Sequence, residues 1–217
     1  MKMVLCSEGF YTQNTIDACV DLVGKPQEQI KIGIINEAYA VEEGDKRWVL
    51  DNLNSVAINF SAEIDIVSLL ALSIAEVENR LADKDVIFVV GGNTHYLMHV
   101  FNKSGFSELL PQLLKDKVYV GSSAGSMVVG RRVSTKAYSK VFGEGNRYGI
   151  DEYLGFVDLA IKPHLDSDNF PNNRAKILDE YAGGTDFPVY GLRDDSAIVV
   201  NGDNIEFIGS EPHKVPR

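Results

Sequence analysis

The sequence predicts an α/β protein: a three-layer, doubly wound, mainly parallel sheet with helices on both faces. Three observations point there. Short apolar runs alternate with longer amphipathic stretches, the β-α-β rhythm of an open parallel sheet. The runs at 30–35 and 86–90 are apolar at nearly every position, as strands covered on both faces are. Glycine-bearing turns, Gly91-Gly92-Asn93 and Gly121-Ser122-Ser123-Ala124-Gly125, follow two such runs directly. Ligands in open sheets bind there, beyond the carboxyl ends of the strands.

The elements follow in order. Lys2–Cys6 reads as a first strand. Asn14–Val23 has Ile16, Cys19, Val20 and Val23 at helical spacing, and Gly24-Lys25-Pro26 ends it. Ile30–Ile35 is the second strand. Val41–Phe60, with Trp48, Val49, Leu53 and Val56, is predicted helical, and Ile64–Leu70 is a third strand. Ile74–Leu81 is a short helix, with Ser73 as cap and Glu76 at the reciprocal position. Asp85–Val90 is the fourth strand, followed by the glycine pair and a helix. Val118–Gly121 is the fifth, and Ala124–Val129 starts the next helix. Lys136–Asp151 is polar and reads as a long loop, of the kind that is often functional. Leu154–Lys162 is a strand, Asn173–Tyr181 a helix, and Val189–Leu192, Ser196–Val200 and Ile205–Ile208 are terminal strands. The turn Asn201-Gly202-Asp203-Asn204 joins the last two.

The 217 residues suit one domain, 1–217, and 45% hydrophobic content suffices for a core. With 21 basic and 31 acidic residues the net charge is −10. That argues against nucleic acid and against an anionic membrane surface, both of which attract basic faces. No run approaches the roughly 20 apolar residues of a membrane span. Met1–Gly9 has too short an apolar run for a signal peptide. Cys6 and Cys19 read as reduced core residues, so a cytoplasmic protein is expected. No cofactor motif is present: Gly91-Gly92-Asn93 is neither a dinucleotide loop nor a phosphate-binding P-loop. His95 and His99 have metal-ligand spacing on a predicted helix but no visible third ligand. No metal is expected.

Gly121-x-Ser123-x-Gly125 has the spacing of a nucleophile elbow between a strand and a helix. Small residues on either side let the backbone fold tightly and raise the serine above the sheet. The Ala124 N–H then faces a developing oxyanion. Ser122 and Ser126 are rival hydroxyls, but only Ser123 has glycine at both −2 and +2. A serine nucleophile needs a base. His164 follows "LAIKP" and so stands at a strand end, among polar neighbours. At Gly91-Gly92 the backbone can approach a ligand closely and add a second oxyanion donor. Asn93 or Thr94 can cap the following helix.

"VIFVVGGNTHYL", "VYVGSSAGSMVVG", "AIKPHLDS", "NNRAKILDE" and "VYGLRDDSAIVV" resemble, in order and spacing, the dipeptidase E (aspartyl dipeptidase) family of serine peptidases, which includes the cyanophycinases. The likeness covers about Ile30–Val200. It implies a glutamine amidotransferase-like fold with serine in place of the usual cysteine. It also implies a metal-independent peptidase acting on small peptides, with Ser123 as nucleophile and His164 as base. Gly91, Gly92, Asn93 and Ala124 would lie around the bound substrate. Arg174 in "NNRAKILDE" matches an arginine that grips an acidic side chain, which implies dipeptides with an acidic N-terminal residue.

One departure stands out. In the family an acid orienting the histidine lies some 15–20 residues past the serine, and Tyr138-Ser139-Lys140-Val141 offers none. Glu144 is the leading replacement. Asp194 or Asp195 in "GLRDDSA", Asp151 and Glu152 are alternatives, and the third member can also be missing. Other readings are a cyanophycinase-like or other small amide or ester hydrolase, and a non-catalytic binding domain of the same fold. A monomer or homodimer is expected.

Overall fold

The computed structural model describes residues 1–216. Along the chain run β1 (Lys2–Cys6), α1 (Gln13–Val23), β2 (Ile32–Ile35), α2 (Arg47–Asn59), β3 (Ile64–Ile66), α3 (Ile74–Leu81), β4 (Val86–Val89), α4 (Thr94–Ser104), α5 (Phe106–Leu113) and β5 (Val118–Ser122). Then come α6 (Ala124–Met127), α7 (Thr135–Phe142), β6 (Ala160–Lys162), α8 (Ala175–Ala182), β7 (Val189–Gly191), β8 (Ala197–Asn201), β9 (Asn204–Ile208) and β10 (His213–Lys214).

The main sheet has the order β3-β2-β4-β5-β1-β8-β9. The first five strands are parallel, and β8 and β9 run antiparallel at one edge. Side chains alternate across the sheet, and both faces are covered. Val4, Cys6, Val86, Phe88, Val118 and Val120 pack with Ile16, Cys19 and Leu22 of α1 and Val56 of α2. Met3, Leu5, Ile87, Val89 and Tyr119 face the other way, onto α3 to α8. Each such aliphatic side chain stabilises the fold by about 1.5–3 kcal/mol. This two-sided burial is why the strands read as continuous apolar runs.

Register places the site. Val89 pairs with Gly121, and Cys6 pairs with Ser122. The turns after β4, β5 and β1 therefore lie side by side at one edge, although they come from distant parts of the chain.

Three expectations are corrected. Lys136–Asp151 is not all loop, since α7 runs to Phe142. Ser134 caps it by accepting the Ala137 N–H at 3.3 Å, and Ala137, Tyr138 and Val141 form its buried face. Lys136, Ser139 and Lys140 occupy the other face and hid that signal. Leu154–Lys162 is a strand only at Ala160–Lys162. It leaves the main sheet for a second one, β10-β7-β6, in which β6 and β7 are parallel. The predicted helix over 41–60 also begins late. A 3-10 turn spans Ala38–Val41, and Gly44, at φ +81°, precedes α2.

Candidate active site

Ser123 sits between β5 and α6 with φ 51° and ψ −113°, a conformation that L-residues hold only when the surroundings impose it. The surroundings do so here. A Cβ on Gly121 would lie 2.6 Å from the Ser126 nitrogen, and one on Gly125 would lie 2.2 Å from the Val89 oxygen. Only glycine fits either place. The Ser123 N–H donates to the Ser7 carbonyl at 3.0 Å. The rival hydroxyls are tied into the fold: Ser126 Oγ lies 2.7 Å from the Cys6 oxygen, and Ser122 Oγ lies 3.0 Å from Asn52 Oδ1.

His164 follows β6, and Asp194 follows β7. Because these strands are parallel, their carboxyl ends are neighbours. The Leu192 N–H donates to the Lys162 carbonyl at 2.9 Å, and the Leu165 N–H donates to the Leu192 carbonyl at 2.8 Å. Asn173 Nδ2 donates to the Pro163 carbonyl and braces the turn. His164, at φ 64°, directs its ring toward the elbow. Nε2 is 2.9 Å from Ser123 Oγ, and Nδ1 is 2.6 Å from Asp194 Oδ1. With the proton on Nδ1, the ring donates to Asp194 and accepts from Ser123. Phe170 stacks on the imidazole at 4.5 Å and 14°. Ser7 Oγ accepts the His164 backbone N–H at 2.7 Å and lies 3.2 Å from Asp194 Oδ1.

Burial alone would raise the Asp194 carboxyl. Hydrogen bonds from His164, Ser167 and Ser7, with the His164 charge, outweigh it and hold the group below the usual carboxylate range. Cys6 lies nearby in β1, but burial pushes its thiol up to about 12, so it is no nucleophile at neutral pH.

Gly91 passes so close to the elbow that a Cβ on it would meet Ser123 Cβ at 2.8 Å. Gly92, at φ 132°, lies against the Ala38 backbone. The N–H groups of Gly92 and Ala124 have no protein hydrogen-bond acceptor among the described residues. Two free donors beside a hydroxyl are what an oxyanion requires.

Ser123 and His164 open onto a cavity of about 380 Å³ lined by Glu8, Glu42, Glu43, Trp48, Thr94 and Glu144, among others. No lysine or arginine lines it among the described residues. Glu144 is on this wall but serves α4. Its carboxylate accepts the Thr94 N–H at 3.1 Å, a favourable place for an anion at a helix start, and lies 3.5 Å from His95 Nδ1. The acid against His164 is Asp194, not Glu144.

Asn93 caps α4 by accepting the Tyr96 N–H at 2.9 Å. Arg174 is turned from the cavity, with Nη1 donating to the carbonyls of Ser167, Phe170 and Asn173 at 3.0–3.1 Å. His95 is buried against Tyr138 at 4.9 Å, and His99 packs on Tyr148 at 5.2 Å. Among the described residues no group of three His, Cys, Asp or Glu is arranged to hold a metal ion. No helix there is long and apolar enough to cross a membrane. Sequence reasoning missed Ser7, Glu8 and Phe170, which carry no motif. The signal that could have found the first two is their position directly after β1.

A hydroxyl raised on a strand–helix turn, an imidazole aimed at it and a carboxylate behind that ring make this a serine-hydrolase type of site on an α/β sheet. The chain belongs to peptidase family S51, whose profile matches residues 4–208. It is a serine-type peptidase. An uncharacterized peptidase of Pasteurella multocida (strain Pm70) is 28% identical over 94% of this chain and 95% of its own length. A peptidase E of Shewanella oneidensis is 27% identical over 77% of this chain and 76% of its own. A probable alpha-aspartyl dipeptidase of Drosophila melanogaster is 30% identical over 64% of this chain and 59% of its own. A crystal structure of a candidate peptidase E from Listeria monocytogenes EGD-e superposes with a TM-score of 0.77 at 20% identity, covering 97% of this chain and 98% of that one. That likeness shows the same fold.

Proposed function

We propose that this peptidase hydrolyses small peptides through an acyl-enzyme on Ser123, working as one domain. The observation that carries the reading is the unbroken line of contacts from Ser123 Oγ to His164 at 2.9 Å and from His164 to Asp194 at 2.6 Å. His164 Nε2 takes the hydroxyl proton as Oγ attacks the scissile carbonyl. The oxyanion forms toward the Ala124 and Gly92 N–H groups. The imidazolium, held by Asp194, gives its proton to the leaving amine, and water then hydrolyses the ester by the same route. The cavity of about 380 Å³ suits a dipeptide-sized substrate.

The finer expectation, an acidic N-terminal residue, rested on Arg174. That guanidinium is engaged by loop carbonyls and carboxylates line the cavity, so the support that remains for it is the likeness to a probable alpha-aspartyl dipeptidase. A cyanophycinase-like or other small amide hydrolase uses the same chemistry and differs only in what fills the cavity. Two buried free thiols favour a reducing compartment, the cytoplasm.

A fluorophosphonate probe with a dipeptide library tests the reading. We expect stoichiometric labelling and turnover of some dipeptide, both lost in Ser123→Ala while its melting curve is retained. Turnover at the wild-type rate in Ser123→Ala would remove Ser123 from the mechanism.

A further inference from the structure

We propose that the catalytic cavity selects peptides with a basic side chain on the acyl side of the scissile bond, and that Glu8 binds that cation. The inference rests on the Ser123–His164 reading and names the substrate class for it. The cavity is a ligand site on independent grounds, since Ser123 and His164 open onto it. What its walls add is one sign of charge.

Glu8, Glu42, Glu43 and Glu144 line the cavity with no basic side chain among them. Glu144 has its partner in Thr94. Glu8 has none: among the described residues no side chain or N–H donates to its carboxylate, although it is only partly exposed. A half-buried carboxylate without a partner is costly. A bound ammonium or guanidinium would relieve that cost.

The backbone around Glu8 is fixed by the catalytic residues themselves. The Ser123 N–H donates to the Ser7 carbonyl at 3.0 Å, the His164 N–H donates to Ser7 Oγ at 2.7 Å, and Ser122 Oγ lies 3.0 Å from the Glu8 carbonyl. The Glu8 backbone is thus held in one place relative to Ser123. Burial, then the charges of Asp194 and Asp51, raise its carboxyl, and His164 opposes them. Trp48, which lines the same cavity as Glu42 and Glu43, offers a face on which a cation or its aliphatic stem can rest. An acidic acyl-side residue would meet four carboxylates and no counter-charge.

The cation is the basic side chain, because every free dipeptide, Asp-Ala included, carries an α-ammonium, which cannot set Lys-Ala apart from Asp-Ala. The test measures kcat/KM for Lys-Ala, norleucyl-Ala, Asp-Ala and N-acetyl-Lys-Ala with the wild type and Glu8→Gln, alongside the rate of fluorophosphonate labelling. We expect Lys-Ala to exceed Asp-Ala by at least about tenfold, the size of one charge-assisted contact. In Glu8→Gln that ratio should collapse, mainly through KM, with the serine still labelled. Cleavage of Lys-Ala and norleucyl-Ala alike, lost on acetylation, places the α-ammonium there instead and overturns the side-chain proposal. Lys-Ala above norleucyl-Ala identifies the side chain. If labelling is intact but Asp-Ala is cleaved as well as or better than Lys-Ala, or neither is cleaved, the charge proposal is overturned and the serine-hydrolase reading survives. If labelling fails, both fall.

Discussion

Asp194 Oδ1 stands 2.6 Å from His164 Nδ1, while Glu144, 50 residues before Asp194 in the chain, spends its carboxylate on the first turn of α4. The separation of these two acids gives a direct comparison. Asp194→Asn leaves the shape but cannot hold the Nδ1–H tautomer, and kcat should fall by about 10²–10⁴-fold. Glu144→Gln should lower kcat far less and instead cost about 0.3–1 kcal/mol of stability through the lost helix-start interaction. Steady-state kinetics and urea melts on both variants check this. Equal losses of kcat would return Glu144 to the triad.

The same pair gives a pH dependence. The folded Asp194 carboxyl lies below its unfolded value of about 4. Its stabilisation is therefore present in full above that unfolded value, and it is lost as pH falls through the folded one. Urea midpoints measured down from pH 6 should drop less steeply below about pH 4 in Asp194→Asn than in the wild type. Parallel curves would show that the pair contributes nothing to folding.

Glu8 has the opposite sign. Its folded carboxyl is raised, so the folded state binds its proton more readily than the unfolded chain does. Ionising it costs stability, a cost absent in acid and complete once pH passes the folded value. Glu8→Gln should raise the urea midpoint at pH 7 and leave it unchanged at about pH 3.5. A gain in stability with a loss of substrate affinity is the signature of a residue kept for binding. A lower midpoint at pH 7 would assign Glu8 a structural role.

The elbow predicts a contrast between two glycines. Gly125→Ala places a methyl 2.2 Å from a backbone oxygen of β4, and neither strand nor helix can retreat. The loss should reach at least about 3 kcal/mol. Gly143, at φ +72°, has open space around it. There alanine meets only backbone strain, about 1–2 kcal/mol. Chemical denaturation of the two variants separates steric from conformational cost. Similar losses would refute the close packing of α6 on β4.

The parallel sheet, the elbow and its serine, the glycine turn beside it and the histidine at a strand end were all legible in the sequence. Each is written locally: two-sided burial makes continuous apolar runs, and a tight turn demands glycine at fixed offsets. The capping box of Ser73 and Glu76 was legible for the same reason.

The acid behind His164 was not. Asp194 reaches it only because β6 and β7 pair in parallel inside a second sheet, and no local pattern encodes which strand ends become neighbours. Glu144 looked better by spacing and was taken by a helix start 50 residues earlier. Arg174 kept its place in the chain, but its guanidinium went to the carbonyls of the loop that carries Phe170. The charge of the cavity, too, comes from residues scattered between Glu8 and Glu144. Short-range sterics shaped the turn that raises Ser123. Long-range pairing brought His164 and Asp194 to it and assembled the carboxylate wall of the cavity.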